Sequence, residues 1–130
     1  MNGATGWADP VVVDLAGKEL AEGVVSVASF TIDASPAAAE FHKKMLDTHK
    51  EDPFPMTSAQ GYDAAHIMLL ALSKSGPDPK KLRDAIEQVD GLKGITAAPA
   101  RPYSPTKHHS LEGKDIFAAV YKNGQLVKAE

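Results

Sequence analysis

The sequence contains no cysteine and no long hydrophobic run, and these absences exclude several kinds of protein. Without cysteine, the 130 residues form no disulfide and offer no thiolate chemistry. No apolar stretch approaches the roughly 20 residues that a membrane-spanning helix needs. The net charge is −3, from 14 basic and 17 acidic residues without a basic cluster, so nucleic acid is not expected as a partner. The content of 43% hydrophobic and 24% charged residues is typical of one globular domain over residues 1–130.

Helix-start patterns stand before four segments of the chain. Asp9-Pro10, Ser35-Pro36 and Asp78-Pro79 each place a capping residue before a proline at the first helical position, and Thr57 to Gln60 has the form of a capping box. The helices predicted from them cover residues 10–18, 36–49, 79–89 and 58–75. Because residues 58–75 are apolar on most sides, this helix is predicted to be the most buried.

Two regions favour β-structure. Val24 to Phe30 is rich in β-branched residues and is predicted to be a buried strand, and a second strand is predicted over 115–121. Asn123-Gly124 is a strong hairpin signal, with a return strand over 125–128. Strand, three helices and hairpin, in this order, predict an α/β fold in which helices flank a sheet that ends in a β-hairpin.

Several segments resemble one protein family. Leu15–Gly17 with Ala21–Val25, then Gln60–Ala65, then Tyr103–Val127, resemble, in this order, segments of periplasmic solute-binding proteins of the branched-chain amino-acid type. The resemblance implies a type I periplasmic binding protein fold, in which two α/β lobes close on a ligand. It identifies this chain as the C-terminal part of the second lobe.

The same resemblance implies a function without catalysis. The full-length protein would be the substrate-binding component of an ABC importer, periplasmic or at the cell surface. It would bind an amino acid or a related small organic molecule, contact permease subunits and need no cofactor. Family members are much longer, so Met1 is interpreted as an internal or artificial start before a cleft loop. The first six residues also lack the basic and apolar regions of a signal peptide.

The first candidate ligand-binding segment is Thr5, Gly6 and Trp7, which the resemblance places in a loop facing the cleft. Some amino-acid binders of this family carry an acid near the position of Thr5. The nearest acid here is Asp9, which argues against an α-amino acid as the ligand. The structural alternative is that Trp7 packs on its own lobe and Thr5 caps a turn.

The second candidate segment is Met56, Thr57 and Ser58, at the turn that enters the helix over 58–75. A helix N-terminus with two hydroxyl groups suits a polar or anionic group, although N-capping alone explains Thr57. Both candidate segments are interpreted as strand-to-helix turns. Such turns gather where strands end, so we expect Thr5, Trp7, Thr57 and Ser58 to share one edge of the domain.

No motif in the sequence predicts catalysis or metal binding. Gly-x-Ser-x-Gly and Walker-type loops are absent, and His108 and His109 would point to opposite sides of an extended chain. Two alternatives stay open, a ligand-sensing receptor domain with the same fold and a fragment of an α/β hydrolytic enzyme. Because a single lobe supplies only half of the ligand contacts and leaves one side of the ligand in water, we expect the fragment to bind its ligand poorly. Because the fragment also leaves a bare sheet edge, we expect a homodimer or strand-exchanged assembly.

Overall fold

The computed structural model describes residues 5–96 and 98–129, within which helices pack around one small sheet. The helices are Val11–Ala16 (α1), Lys18–Ala21 (α2), Pro36–His49 (α3), Pro55–Ser75 (α4) and Pro79–Glu87 (α5). The strands are Val25–Ala28 (β1), Phe117–Lys122 (β2) and Gln125–Lys128 (β3), and 3-10 turns occupy Thr5–Trp7 and Gly113–Asp115. The predicted α/β class with a C-terminal hairpin is confirmed. The predicted chain start at Met1 lies outside the described residues.

The sheet is antiparallel throughout, in the order β1-β2-β3. The hairpin turn lies where the sequence predicts it, because Asn123 and Gly124 both adopt the positive φ that a tight hairpin requires, 55° and 80°. In β1, Ser26 and Ala28 are buried, whereas Val25 and Val27 are 36% and 40% exposed. The prediction of a buried strand is therefore correct for one face of β1 and wrong for the other. Only one face of β1 is covered by the described residues.

Local capping explains the helix starts that the sequence predicts correctly. The Ser35 side chain accepts a hydrogen bond from Ala38 N at 3.1 Å, and the Asp78 carboxylate accepts one from Lys80 N at 2.9 Å. The helix predicted over 10–18 is instead divided at Gly17, whose φ of 86° is incompatible with a continuous helix. The capping box at Thr57 is also wrong, since α4 begins at Pro55 and Thr57 lies in its first turn.

Among the residues that the structure describes, three groups of buried apolar residues form the core. The central group includes Ala28, Phe30, Phe41, Met56 and Ala119, and joins the sheet to α3 and α4. The second joins α4 to α5, and the third covers the inner side of the sheet with α1 and α2. The central group therefore fixes the start of α4 against the sheet.

Helix α4 has more buried residues than any other helix of the described residues, as the sequence predicts, but these residues form one stripe and do not cover most sides of the helix. Its buried residues recur about every four positions, at Met56, Ala59, Asp63, Ile67 and Ala71, whereas Leu69 is 62% exposed. In the part of the chain that the structure describes, no helix has the length and apolarity to cross a bilayer.

Candidate functional site

The first candidate segment, Thr5–Trp7, is an exposed 3-10 turn whose backbone accepts a hydrogen bond from a buried tyrosine. Tyr121 on β2 is fully buried, and its hydroxyl lies 2.8 Å from the carbonyl oxygens of both Trp7 and Asp9. Burial, with a smaller contribution from the charge of Asp9, raises the pKa of Tyr121 to about 12. The hydroxyl therefore stays protonated at neutral pH, and it donates a hydrogen bond that the two carbonyl oxygens share.

Asp9 connects this turn to the second candidate segment. Its carboxylate accepts hydrogen bonds from Met56 N (to Oδ1) and from Thr57 Oγ1 (to Oδ2), both at 3.1 Å. Asp9 is only 6% exposed, and it meets α4 at the end where the helix dipole favours negative charge. The sequence predicts Asp9 as the N-cap of the first helix. Pro10 takes that position instead, and the Asp9 side chain caps a helix 47 residues away.

The third residue of the second segment, Ser58, bonds a different acid. Ser58 Oγ donates to Asp52 Oδ1 at 2.8 Å, and His42 Nδ1 lies 3.0 Å from Asp52 Oδ2. The Asp52 side chain is only 1% exposed, so its charge is held between two neighbouring groups. The acid stands between the serine and the histidine, so the Ser58 hydroxyl contacts a carboxylate and not the His42 imidazole.

The hydroxyl groups of Thr57 and Ser58 consequently have a defined polarity. Ionised Asp9 and Asp52 can only accept hydrogen bonds, so each hydroxyl proton is directed at its acid. Each of the two hydroxyl oxygens keeps a lone pair that can accept a further hydrogen bond. Toward a bound molecule these two residues therefore offer acceptors, backed by two carboxylates.

The two candidate segments are expected to share one edge of the domain because both are interpreted as strand-to-helix turns, and this reason is wrong. The sheet is antiparallel rather than parallel, and the turn before α4 follows helix α3, not a strand. The segments are brought together by the hydrogen bonds of Asp9 instead. The turn at Thr5–Trp7 stays exposed, Met56 is buried, Thr57 is exposed and Ser58 is half-buried.

A cavity of about 500 Å³ lies beside Met56, between the turn, α3 and the hairpin. Its walls include Ala8, Pro10, Phe30, His42 and Leu126. Of the six predicted ligand-binding residues, Met56 alone lines this cavity. Within residues 5–96 and 98–129, no three His, Cys, Asp or Glu side chains are close enough together to hold a metal ion.

Asp63 is a buried residue whose role the sequence did not reveal. Its carboxylate accepts three hydrogen bonds from the loop after α5. These come from Ile95 N at 2.9 Å, Thr96 N at 3.0 Å and Thr96 Oγ1 at 2.6 Å. Gly94 passes so close that a Cβ there would lie 2.9 Å from Asp63 Oδ2. Asp63 thus fixes this loop on the middle of α4.

Comparison with known proteins gives one family and a consistent set of folds. The model of a family described as periplasmic binding protein matches residues 1–125. No curated protein sequence matches the chain. A leucine-binding protein from Thermotoga maritima is 21% identical, with a TM-score of 0.76 over 99% of this chain and 36% of its own. A type 1 periplasmic binding protein from Bordetella pertussis is 22% identical, with a TM-score of 0.76 over 98% of this chain and 38% of its own.

A third solved structure carries a different kind of ligand. It is an ABC transporter solute-binding protein from R. palustris in complex with benzoate, 21% identical, with a TM-score of 0.65 over 89% of this chain and 31% of its own. The chain therefore spans between 31% and 38% of the length of these three structures. It has the type I fold in part, and the ligand differs among the proteins that it resembles.

Proposed function

Because this chain belongs to the periplasmic binding protein family, we propose that it supplies part of the ligand cleft of a solute-binding protein serving an ABC importer. The rest of the cleft comes from polypeptide that these 130 residues do not include, which the limited coverage of the related structures supports. The full-length protein would be periplasmic or at the cell surface and would deliver its ligand to permease subunits. Whether it serves import or ligand sensing by a receptor of the same fold depends on that partner.

The observation that carries this proposal is the Asp9 bridge. It joins the exposed turn at Thr5–Trp7 to the start of α4, and this connection between two segments far apart in sequence supports assigning both to one ligand surface. The ligand-binding residues of the proposal are the six predicted from the sequence: Thr5, Gly6, Trp7, Met56, Thr57 and Ser58. Met56 is buried and contributes its position behind the surface rather than a direct polar contact.

The polarity of the surface favours a ligand that presents hydrogen-bond donors. Thr57 and Ser58 offer lone pairs, and the carboxylates of Asp9 and Asp52 stand behind them. The start of α4 already holds the negative charge of Asp9, so a ligand carboxylate would meet like charge there. An ammonium group fits better than a carboxylate. We therefore propose an amino acid rather than a simple organic acid, although no acid stands at Thr5.

The geometry supports binding rather than catalysis. In a serine hydrolase the histidine contacts the serine and the acid orients the histidine. Here Asp52 contacts both Ser58 and His42, so the serine hydroxyl donates its hydrogen bond to a carboxylate and not to the histidine. This order disfavours the alternative of a hydrolase fragment.

The test compares two ligands that differ in one group, using the full-length polypeptide that contains this chain. Calorimetry with leucine and with 4-methylpentanoate, which lacks the amino group, should give tighter binding of leucine. Each tenfold ratio in Kd corresponds to about 1.4 kcal/mol. The ligand should be recovered unchanged after incubation. Tighter binding of 4-methylpentanoate or benzoate would overturn the amino-acid assignment, and turnover would overturn the binding function.

A matched pair of variants on α4 tests the location of the site. Ser58→Ala should weaken leucine binding about three- to tenfold, since a lost hydrogen bond typically costs about 0.5–1.5 kcal/mol. Ser73→Ala is the control, because Ser73 is exposed near the other end of α4 and its hydroxyl bonds Leu70 O. Equal affinities for both variants would remove Ser58 from the site.

A further inference from the structure

We propose that Asp9 and Tyr121 are positioning residues, which together hold the Thr5–Trp7 turn in a fixed place relative to the start of α4. The proposed function assigns the turn and the start of α4 to one ligand surface, and neither Asp9 nor Tyr121 is among its six residues. The proposal therefore rests on the proposed function for its biological meaning, but the positioning itself can be measured without any ligand.

The Tyr121 side chain is a rigid anchor for the turn. Its ring is fully buried among Val13, Ala21 and Val24, so close packing restricts where the hydroxyl can lie. The hydroxyl has one proton and lies 2.8 Å from two carbonyl oxygens, so the proton is shared between Trp7 O and Asp9 O. This sharing draws both ends of the Trp7–Asp9 backbone toward one point on the sheet.

Asp9 extends this anchor from the sheet to the helix. Its carbonyl oxygen accepts a hydrogen bond from the Tyr121 hydroxyl, and its carboxylate accepts hydrogen bonds from Met56 N and Thr57 Oγ1. A single residue thus contacts β2 through its backbone and α4 through its side chain. Although the turn before it is exposed, Asp9 is 6% exposed, so water competes little for these hydrogen bonds. Loss of either group would free the turn while leaving the packed sheet and helices in place.

The turn contains its own probe, because Trp7 is the sole tryptophan of the sequence. Its side chain is 40% exposed, so release of the turn should bring its exposure toward that of a free chain. We expect the acrylamide quenching constant of Trp7 to rise about twofold in Asp9→Ala and in Tyr121→Phe, since locally opened segments expose their side chains. The fluorescence anisotropy of Trp7 should fall in the same variants.

Two matched controls separate positioning from general loosening of the fold. Tyr103→Phe removes a hydroxyl from a partly buried tyrosine that packs between α4 and α5. Asp14→Asn removes a negative charge from the exposed side of α1. Both should leave the quenching of Trp7 as in the parent chain. Far-ultraviolet circular dichroism should be unchanged in all four variants, which shows that the secondary structure is retained.

The conservative variant Asp9→Asn gives a second route should Asp9→Ala fail to fold. Its amide oxygen can still accept from Met56 N, and the Thr57 hydroxyl can turn to accept from the amide nitrogen. Asp9→Asn should therefore restore most of the parent quenching. The proposal is overturned by a folded Tyr121→Phe whose Trp7 is quenched like the parent, or by an equal rise in Tyr103→Phe. Because no ligand is added, neither result depends on the ligand-binding proposal.

Discussion

The hydrogen bonds of Asp63 allow a prediction about the stability of the fold. In Asp63→Asn, one of the two side-chain oxygens becomes an NH₂ group. The parent oxygens accept from two different backbone groups, Ile95 N and Thr96 N, at 2.9 and 3.0 Å. Whichever way the amide is oriented, one of these N–H groups will face another donor. The variant therefore loses at least one hydrogen bond to a buried acceptor, and no side-chain rotation avoids the loss.

The expected loss of stability follows from this count. A hydrogen bond to a charged group contributes about 1.5–3 kcal/mol, and the neutral amide is easier to bury than the carboxylate, which offsets part of the loss. We expect Asp63→Asn to lower the free energy of unfolding by about 2 kcal/mol. For a chain of this size, that corresponds to a fall in Tm of roughly 5–10 °C.

Urea denaturation followed by circular dichroism measures this difference, with Asp84→Asn as the control. Asp84 is exposed on α5, and a substitution at such a surface position is expected to change stability by less than about 0.5 kcal/mol. A double-mutant cycle with Thr96→Val should show a coupling of about 0.5–3 kcal/mol between the two positions. If Asp63→Asn is as stable as Asp84→Asn, the carboxylate does not hold the loop and the reasoning fails.

Three further predictions concern close packing, pH and association. Gly94→Ala should destabilise the fold by about 1–3 kcal/mol, because the new Cβ would lie 2.9 Å from Asp63 Oδ2. Gly61→Ala lies in open space within α4 and should stabilise the fold by about 0.5–1 kcal/mol. Thermal unfolding of the two variants measures both changes. The raised pKa of Tyr121 means that folding favours its neutral form, so the resulting stability is complete below pH 10 and is lost as the pH rises toward 12. Urea denaturation across this range should show a smaller decline for Tyr121→Phe. Sedimentation at micromolar concentration should show a homodimer, because β1 is an edge strand with Val25 and Val27 exposed, and a monomer would contradict this.

Structure that depends on neighbouring residues could be predicted from the sequence. The caps at Ser35 and Asp78 act over two or three residues, and the turn at Asn123-Gly124 needs only the backbone freedom of these two residues. The same short range explains the predicted ends of α3. Such features follow from local hydrogen bonds and allowed φ angles, whatever the rest of the fold does.

Structure that depends on distant partners could not be predicted in this way. Asp9 stands before a proline, which locally resembles an N-cap, but its carboxylate is recruited by α4 from 47 residues along the chain. Likewise, the alternating exposure of β1 depends on which helices cover the sheet, and a run of valines does not reveal this. The candidate site is of this second kind. The sequence predicts its two segments, whereas the residues that join them, Asp9 and Tyr121, emerge only from the fold.

The separation between Trp7 and Tyr121 also determines when the molecule can be completed during synthesis. The hydroxyl that holds the turn belongs to a residue 114 positions later, and β1 pairs with no strand before β2 among the described residues. At about 5–20 residues per second, the ribosome needs roughly 6–23 s to synthesise these 114 residues. During that time α3, α4 and α5, whose contacts are nearer in sequence, can already assemble. Within the described residues, β1 has no strand to pair with until β2 has been synthesised, so we expect chaperone binding to this valine-rich segment to fall once the hairpin of β2 and β3 is available.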